Sequence, residues 1–252
     1  ALGSRFQAGC EDRQNQEDEE VISPICISTV HGKGLRVMLT SIREYCPEVP
    51  VYLRGPESII GGCDADFKLF GQPRNHGLDY NEIMDRAFAD GFDSVISAND
   101  DIVLTPTSYV LLMEDVAQLK EETGEPVGWV AARCDASRPV QNIRSNPFDQ
   151  DLYYFKYPYE DAILPMECVS PIFSWIGADA WEKFAFPPLN WYSDDVHCED
   201  LRGAGFHHYL SRSYVHHVGS QTIGFNGEKL IQQAVPWIRK HRPQYAKDWF
   251  NT

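Results

Sequence analysis

The chain has 252 residues, 43% of them hydrophobic and 12% aromatic, enough apolar material for one large α/β domain or two small ones. Its formal net charge is −15, the opposite of what displaces counterions from nucleic-acid phosphate. That excludes broad, non-specific DNA or RNA binding, leaves nucleic acid only a local groove, and reads first as solubility.

Residues 1–20 close on the charge-dense stretch Glu11 to Glu20, which predicts a disordered acidic tail, with one domain over 21–252. Val21 to Val30 is an apolar run and reads as a buried strand. His31-Gly32-Lys33-Gly34 turns the chain, Leu35 to Tyr45 carries apolar residues at helical spacing, and Cys46-Pro47 stops it. Val49 to Leu53 and Phe67 to Phe70 read as strands, and Tyr80 to Asp90 as an amphipathic helix closed by Gly91. Ser94 to Ala98 is a strand that runs straight into Asn99-Asp100-Asp101. This order predicts a mainly parallel sheet with helices on its faces. Ligands on such sheets sit beyond the carboxyl ends of the strands, so the loops after Val30, Leu53 and Ala98 should share one crevice.

Tyr109 to Glu122 then reads as a helix and Val127 to Ala132 as a strand. Residues 135–165 form a long irregular stretch with an aromatic run from Tyr153 to Tyr159, and long loops in compact domains are often functional. Ser170 to Ile176 reads as a strand, Ala178 to Phe184 as a helix and Tyr214 to Val218 as a late strand. No apolar run approaches the roughly 20 residues that span a bilayer. The N-terminus shows no basic and apolar leader pattern, and seven scattered cysteines without a CxxC spacing suit a reducing compartment. A cytoplasmic protein is the expectation.

Two adjacent carboxylates at a strand's carboxyl end repel one another and resist desolvation unless a cation joins them. Mg²⁺ and Mn²⁺ take oxygen ligands, usually one or two carboxylates together with substrate phosphates. Ser94 to Pro106 (SVISANDDIVLTP) resembles the metal-binding segment of GT-A glycosyltransferases of the family-two type, in which a hydrophobic strand ends in a DxD-like motif. The resemblance implies a Rossmann-like single domain with a mixed, mainly parallel central sheet flanked by helices. It also implies that Asp101 ligates the metal and that Asn99 and Asp100 face the donor.

Three further stretches are similar to that family. Asn75-His76-Gly77-Leu78-Asp79-Tyr80-Asn81 resembles the segment before the helix that precedes the DxD strand, which makes Asn75, Asp79 and Asn81, with Arg74, donor-binding candidates. Trp191-Tyr192-Ser193-Asp194-Asp195 followed by Arg202 and Gly205-Phe206 resembles the segment carrying the catalytic base; either Asp194 or Asp195 fits its spacing. His216-His217-Val218-Gly219-Ser220-Gln221-Thr222 resembles the late strand end whose histidine joins the metal shell, with His217 the better match and His216 the reserve. Ser28 and Thr29 at the first strand end would meet the nucleotide. Where many relatives carry an acid after the second strand, this chain has Arg54-Gly55-Pro56.

The activity implied is metal-dependent, inverting transfer of a sugar from a nucleoside-diphosphate sugar, with UDP as the expected nucleotide, to a hydroxyl acceptor, in the first instance a glycan. Mn²⁺ or Mg²⁺ is the expected cofactor. Trp175, Trp191 and Tyr192 are candidates for stacking on an acceptor ring. The competing readings are a glycosyltransferase acting on a hydroxymethylated DNA base, a nucleotidyltransferase and a non-catalytic sugar-binding module.

Overall fold

A computed structural model describes residues 22–143, 161–218 and 227–250. The acidic stretch 1–20, the aromatic run 153–159 and the segment 219–222 singled out above lie outside the described residues. Strand β1 (Ile25–Ser28) leads into helix α1 (Leu35–Tyr45), whose bounds are those expected from its apolar spacing. Strand β2 (Val51–Gly55), helix α2 (Glu57–Ile60), strand β3 (Phe67–Phe70), helix α3 (His76–Ala89) and strand β4 (Ser94–Ala98) follow. Helix α3 starts four residues earlier than its apolar period suggests, because Asn75 Oδ1 accepts from Leu78 N at 2.9 Å and caps it. The first half therefore has the expected alternation, with α2 added.

After the NDD triplet come strand β5 (Ile102–Leu104), helix α4 (Ser108–Glu122) and strand β6 (Val127–Arg133). The chain then forms strand β7 (Leu164–Met166), strand β8 (Phe173–Gly177), helix α5 (Ala178–Trp181) and helix α6 (Ser193–Gly203). Strand β9 (His207–His217) is longer than the expected Tyr214 to Val218, and helices α7 (Gly227–His241) and α8 (Pro243–Phe250) complete the described chain.

The strands make one sheet in the order β3-β2-β1-β4-β8-β6-β9-β5, with β7 also on β9. β1, β2, β3 and β4 pair in parallel, β8 is antiparallel to both β4 and β6, and β6 is parallel to β9. β7 and β5 pair antiparallel with successive parts of β9: Leu164 faces Leu210, and Ile102 faces His217. The sheet is mixed, as expected.

Alternation along β1 divides the core between two faces. Ile25 and Ile27 pack with Leu35, Met38 and Ile42 of α1, while Cys26 packs with Tyr80, Ile83 and Met84 of α3. A third, smaller cluster joins Leu189 and Val196 to Ala234, Ile238 and Ala246 of α7 and α8. β9 carries an irregularity: two steps along β6, Ala131 to Arg133, are matched by four along β9, Leu210 to Tyr214. Buried Asp115 of α4 holds the extra residues, accepting from Ser211 Oγ at 2.6 Å and from Arg212 N and Nε at 2.7 Å each.

Candidate active site

The NDD triplet sits at the carboxyl end of β4, and β5 carries it back along β9. Ile102 lies opposite His217, Val218 N donates to Asp101 O at 3.1 Å, and so Asp101 Oδ1 comes within 3.1 Å of His217 Nε2. Both side chains are buried, at 7% and 8% exposure. The other ring nitrogen, Nδ1, donates to the carbonyl oxygen of Ala136, and His217 N donates to Asp135 Oδ1 at 2.7 Å. These contacts fix the ring so that Nε2 points at Asp101. Burial disfavours the imidazolium, but the Asp101 carboxylate and the Cys134 sulfur outweigh it and raise the His217 pKa to about 10. His216, the reserve candidate, faces away: its Nδ1 meets Asp135 Oδ2 and its side chain is 49% exposed.

At neutral pH a proton on Nε2 therefore joins the two groups, and a cation that replaced this proton would meet a pair spaced like neighbouring ligands on a metal. Two cis ligands at ~2.1 Å from an octahedral ion lie about 3 Å apart. A carbonyl on the far ring nitrogen is also the usual support of a metal-bound histidine. Among the described residues no group of three or more His, Cys, Asp or Glu side chains is placed to hold an ion, so those residues would offer Asp101 and His217 there.

Asp100 points elsewhere. Thr29 Oγ1 donates to its Oδ2 and itself accepts from Gly32 N at 2.9 Å, which ties the loop after β1 to the triplet. Burial and the neighbouring Asp101 raise the Asp100 pKa, against the Thr29 hydrogen bond. Asn99 N donates to Ile172 O at 2.9 Å, and Asn99 Nδ2 lies 3.4 Å from His217 Nε2. Gly34 lets α1 start against the triplet: a Cβ there would stand 2.6 Å from both Asp100 O and Asp101 Cα. Ser28 is half-buried at the end of β1, beside Arg54 of β2.

Asp194 and Asp195 open α6, where the helix dipole favours carboxylates. Arg138, from the loop after β6, reaches both, with Nη2 3.0 Å from Asp194 Oδ2 and 2.9 Å from Asp195 Oδ1. Ser170 Oγ also donates to Asp194 at 3.0 Å. Burial raises the Asp194 pKa, but Arg138 and His76 overcome it and the net shift is downward. Burial and the Asp194 charge push Asp195 the other way, to about 7, against Arg138. The two carboxylates are thereby split into a fixed anion and a group that can carry a proton near neutrality.

The two centres share supports. Segment 170–172 bonds Asp194 at one end and Asn99 at the other, and the loop after β6 holds His217 through Asp135 and Ala136 and the acid pair through Arg138. Arg138 does not stand out in the sequence because it lies in an irregular stretch without periodicity. The one signal available was its place just past a buried strand on the ligand edge.

The other candidates are distributed as follows. Asp79 is buried and balances Arg54 Nη2 and Arg74 Nε, each at 3.0 Å from Oδ1, while Arg74 N donates to Oδ2 at 3.0 Å. Glu82 completes this quartet against both arginines. Arg54 is 2% exposed and its Nη1 has no partner among the described residues. Asn75 caps α3, and Asn81 exchanges two hydrogen bonds with the Phe186 backbone at 2.9 and 3.0 Å. These bonds engage both side-chain groups of Asn81 and the side-chain oxygen of Asn75. Trp175 corrects the stacking expectation: it is 1% exposed in the core between Ile96 and Val130, under Lys120, so no acceptor ring can reach it. Tyr192 has a left-handed backbone (φ 64°) and stacks on Trp249 at 5.7 Å, and Trp191 beside it is half-buried.

No protein-family model matches the sequence, and no curated protein does. Among solved structures, S. aureus TarS 1–349 aligns with a TM-score of 0.53 over 86% of this chain and 65% of its own, at 11% identity. The same fragment in complex with UDP-GlcNAc aligns with a TM-score of 0.53, over 86% and 66%, at 12% identity. A197 from STIV aligns with a TM-score of 0.47, over 75% and 81%, at 12% identity. This chain thus spans about two thirds of the TarS fragment. The likeness is one of fold: the mixed sheet with its flanking helices is of the GT-A type. No helix of the described residues is long and apolar enough to cross a membrane.

Proposed function

We propose that this chain is a metal-dependent glycosyltransferase that moves a sugar from a nucleoside-diphosphate sugar, with UDP the expected nucleotide, to a hydroxyl of a glycan acceptor. The observation that carries the reading is the Asp101–His217 pair at the ligand edge of a GT-A sheet, braced by the same loop that braces the acid pair of α6. Asp101 and His217 would hold Mn²⁺ or Mg²⁺, which, when bound, offsets the charge that builds on the leaving diphosphate. Thr29 and Asp100, joined by a hydrogen bond, would close the nucleotide side of the crevice.

Asp195 is the base in this reading. Its proton affinity lies near neutrality, whereas Asp194 is pinned as an anion by Arg138 and Ser170. The acceptor oxygen bonds to the anomeric carbon as the bond from that carbon to the diphosphate oxygen breaks. The hydroxyl proton passes to Asp195, and the electron pair leaves with the diphosphate. Single displacement inverts the anomeric configuration.

The test is calorimetric titration of UDP with and without Mn²⁺, on the protein and on Asp101→Ala, followed by a donor-hydrolysis screen across nucleotide sugars. Mn²⁺-dependent UDP binding that Asp101→Ala abolishes supports the assignment. UDP binding that ignores both Mn²⁺ and the substitution ends it.

A further inference from the structure

A cleft of about 300 Å³ opens between α7 and the start of α3, apart from the Asp101–His217 pair. Its floor is the segment Pro188 to Asn190, fixed against α3 by two hydrogen bonds: Gly77 N to Leu189 O at 3.0 Å and His76 N to Asn190 Oδ1 at 2.9 Å. The approach is so close that a Cβ on Gly77 would fall 1.8 Å from Pro187 O, so this wall is set before any ligand arrives. Trp237 of α7 supplies an indole, in contact with His241 at 4.6 Å between ring centroids.

Polar groups from three elements converge on the cleft. Gln233 of α7 makes no hydrogen bond to another described residue. Among the described residues, Asn190 and Asn75 each engage only their side-chain oxygen, which leaves both NH₂ groups as donors. Arg74 lines the cleft too, but within the quartet of Arg54, Arg74, Asp79 and Glu82 its charge is balanced. The cleft thus presents amide donors and acceptors, an aromatic surface and no net charge.

We infer that this cleft binds a neutral pyranose. Adjacent sugar hydroxyls act as donor and acceptor together, which is what carboxamides match, and the C–H face of the ring suits an indole. The volume lies at the lower end for small-ligand sites. Asn190 lies four residues before Asp194, and His76 Nδ1 is 2.9 Å from Ser193 Oγ. A sugar held here is therefore close along the chain to the acid pair without touching it. Resting on the glycosyltransferase reading, that sugar is a unit of the acceptor glycan next to the one that receives the transfer.

Saturation-transfer NMR with maltotriose, mannotriose and chitotriose, without nucleotide, tests the site. At least one trisaccharide should give transfer, weakened tenfold or more in Gln233→Ala and Trp237→Ala, with UDP binding unchanged. Gln233 is exposed, so its substitution keeps the test valid even where Trp237→Ala fails to fold. Absence of transfer from all three sugars, or a Gln233→Ala signal equal to wild type, overturns the site. Trisaccharide binding that persists when UDP and Mn²⁺ do not bind removes the transferase reading and leaves the cleft standing.

Discussion

Asp101 Oδ1 and His217 Nε2 lie 3.1 Å apart although 116 positions separate them in the chain, and sheet register brings them together. If they are joint ligands, His217→Ala should weaken Mn²⁺-dependent UDP binding by about 10- to 100-fold or more, and His216→Ala should not. Calorimetry on the two variants measures this directly. Equal losses would mean that the double histidine acts through the strand rather than through one imidazole.

The acid pair yields a pH prediction. Asp195 must be ionised to accept a proton, and its affinity for that proton is raised to about 7. Turnover should therefore rise with pH through the neutral range rather than level off near pH 5. Asp195→Asn should lower kcat by about 10²- to 10⁴-fold. Arg138→Met removes the cation shared by both carboxylates, so the acid limb of the kcat/KM profile should move to higher pH. A profile unmoved by Arg138→Met would remove Arg138 from this role.

Asp79 tests the buried quartet. Asp79→Ala leaves Arg54 buried with only Glu82 as its counter-charge and should cost about 3 kcal/mol or more. Glu82→Ala, at a site 43% exposed, should cost about 1 kcal/mol or less. Urea denaturation of both variants makes the comparison.

A fourth expectation concerns acid stability. His197 Nδ1 accepts from Trp129 Nε1 at 3.0 Å while Nε2 faces Phe184 O, and His208 Nδ1 accepts from Trp129 N at 2.9 Å. Burial lowers both pKa values from 6.5 to about 4. Between those values the unfolded chain binds the protons and the folded chain does not. Stability should be complete above pH 6.5 and fall toward pH 4, by up to about 1.4 kcal/mol per pH unit for each ring. Denaturation at pH 7.5, 6 and 5 should show that slope, shallower in His197→Gln and His208→Gln.

What the sequence disclosed follows from which signals are periodic. β1, β4 and β6 are apolar runs that read as strands, and the apolar spacing of α1 gives its observed bounds. β5 is three residues long, too short to carry alternation, yet it is the strand that delivers Asp101 to His217. The first half of β9 is hard to read because His208, Ser211 and Ser213 look like loop residues; their burial is tolerated because His208 Nδ1 accepts from Trp129 N, while Ser211 and Ser213 donate to Asp115 and to the Ser108 carbonyl. Arg54 after Leu53 looked like a departure on the ligand edge, and only α3 packing reveals Asp79 as its partner. Helix α7 carries Pro236 inside it, which hides it in the sequence, and the cleft it forms is hidden with it.

The irregularity in β9 carries a last consequence. β9 has two more residues than β6 between the Ala131–Leu210 and Arg133–Tyr214 pairings. Side chains alternate along a strand, so an even surplus preserves which of two neighbouring residues faces a given side, and an odd one exchanges them. Inserting a single residue between Leu210 and Tyr214 would leave β7 paired as it is but put His216 opposite Ile102 in place of His217, and deleting one would put Val218 there. Changes of length there should survive only in pairs.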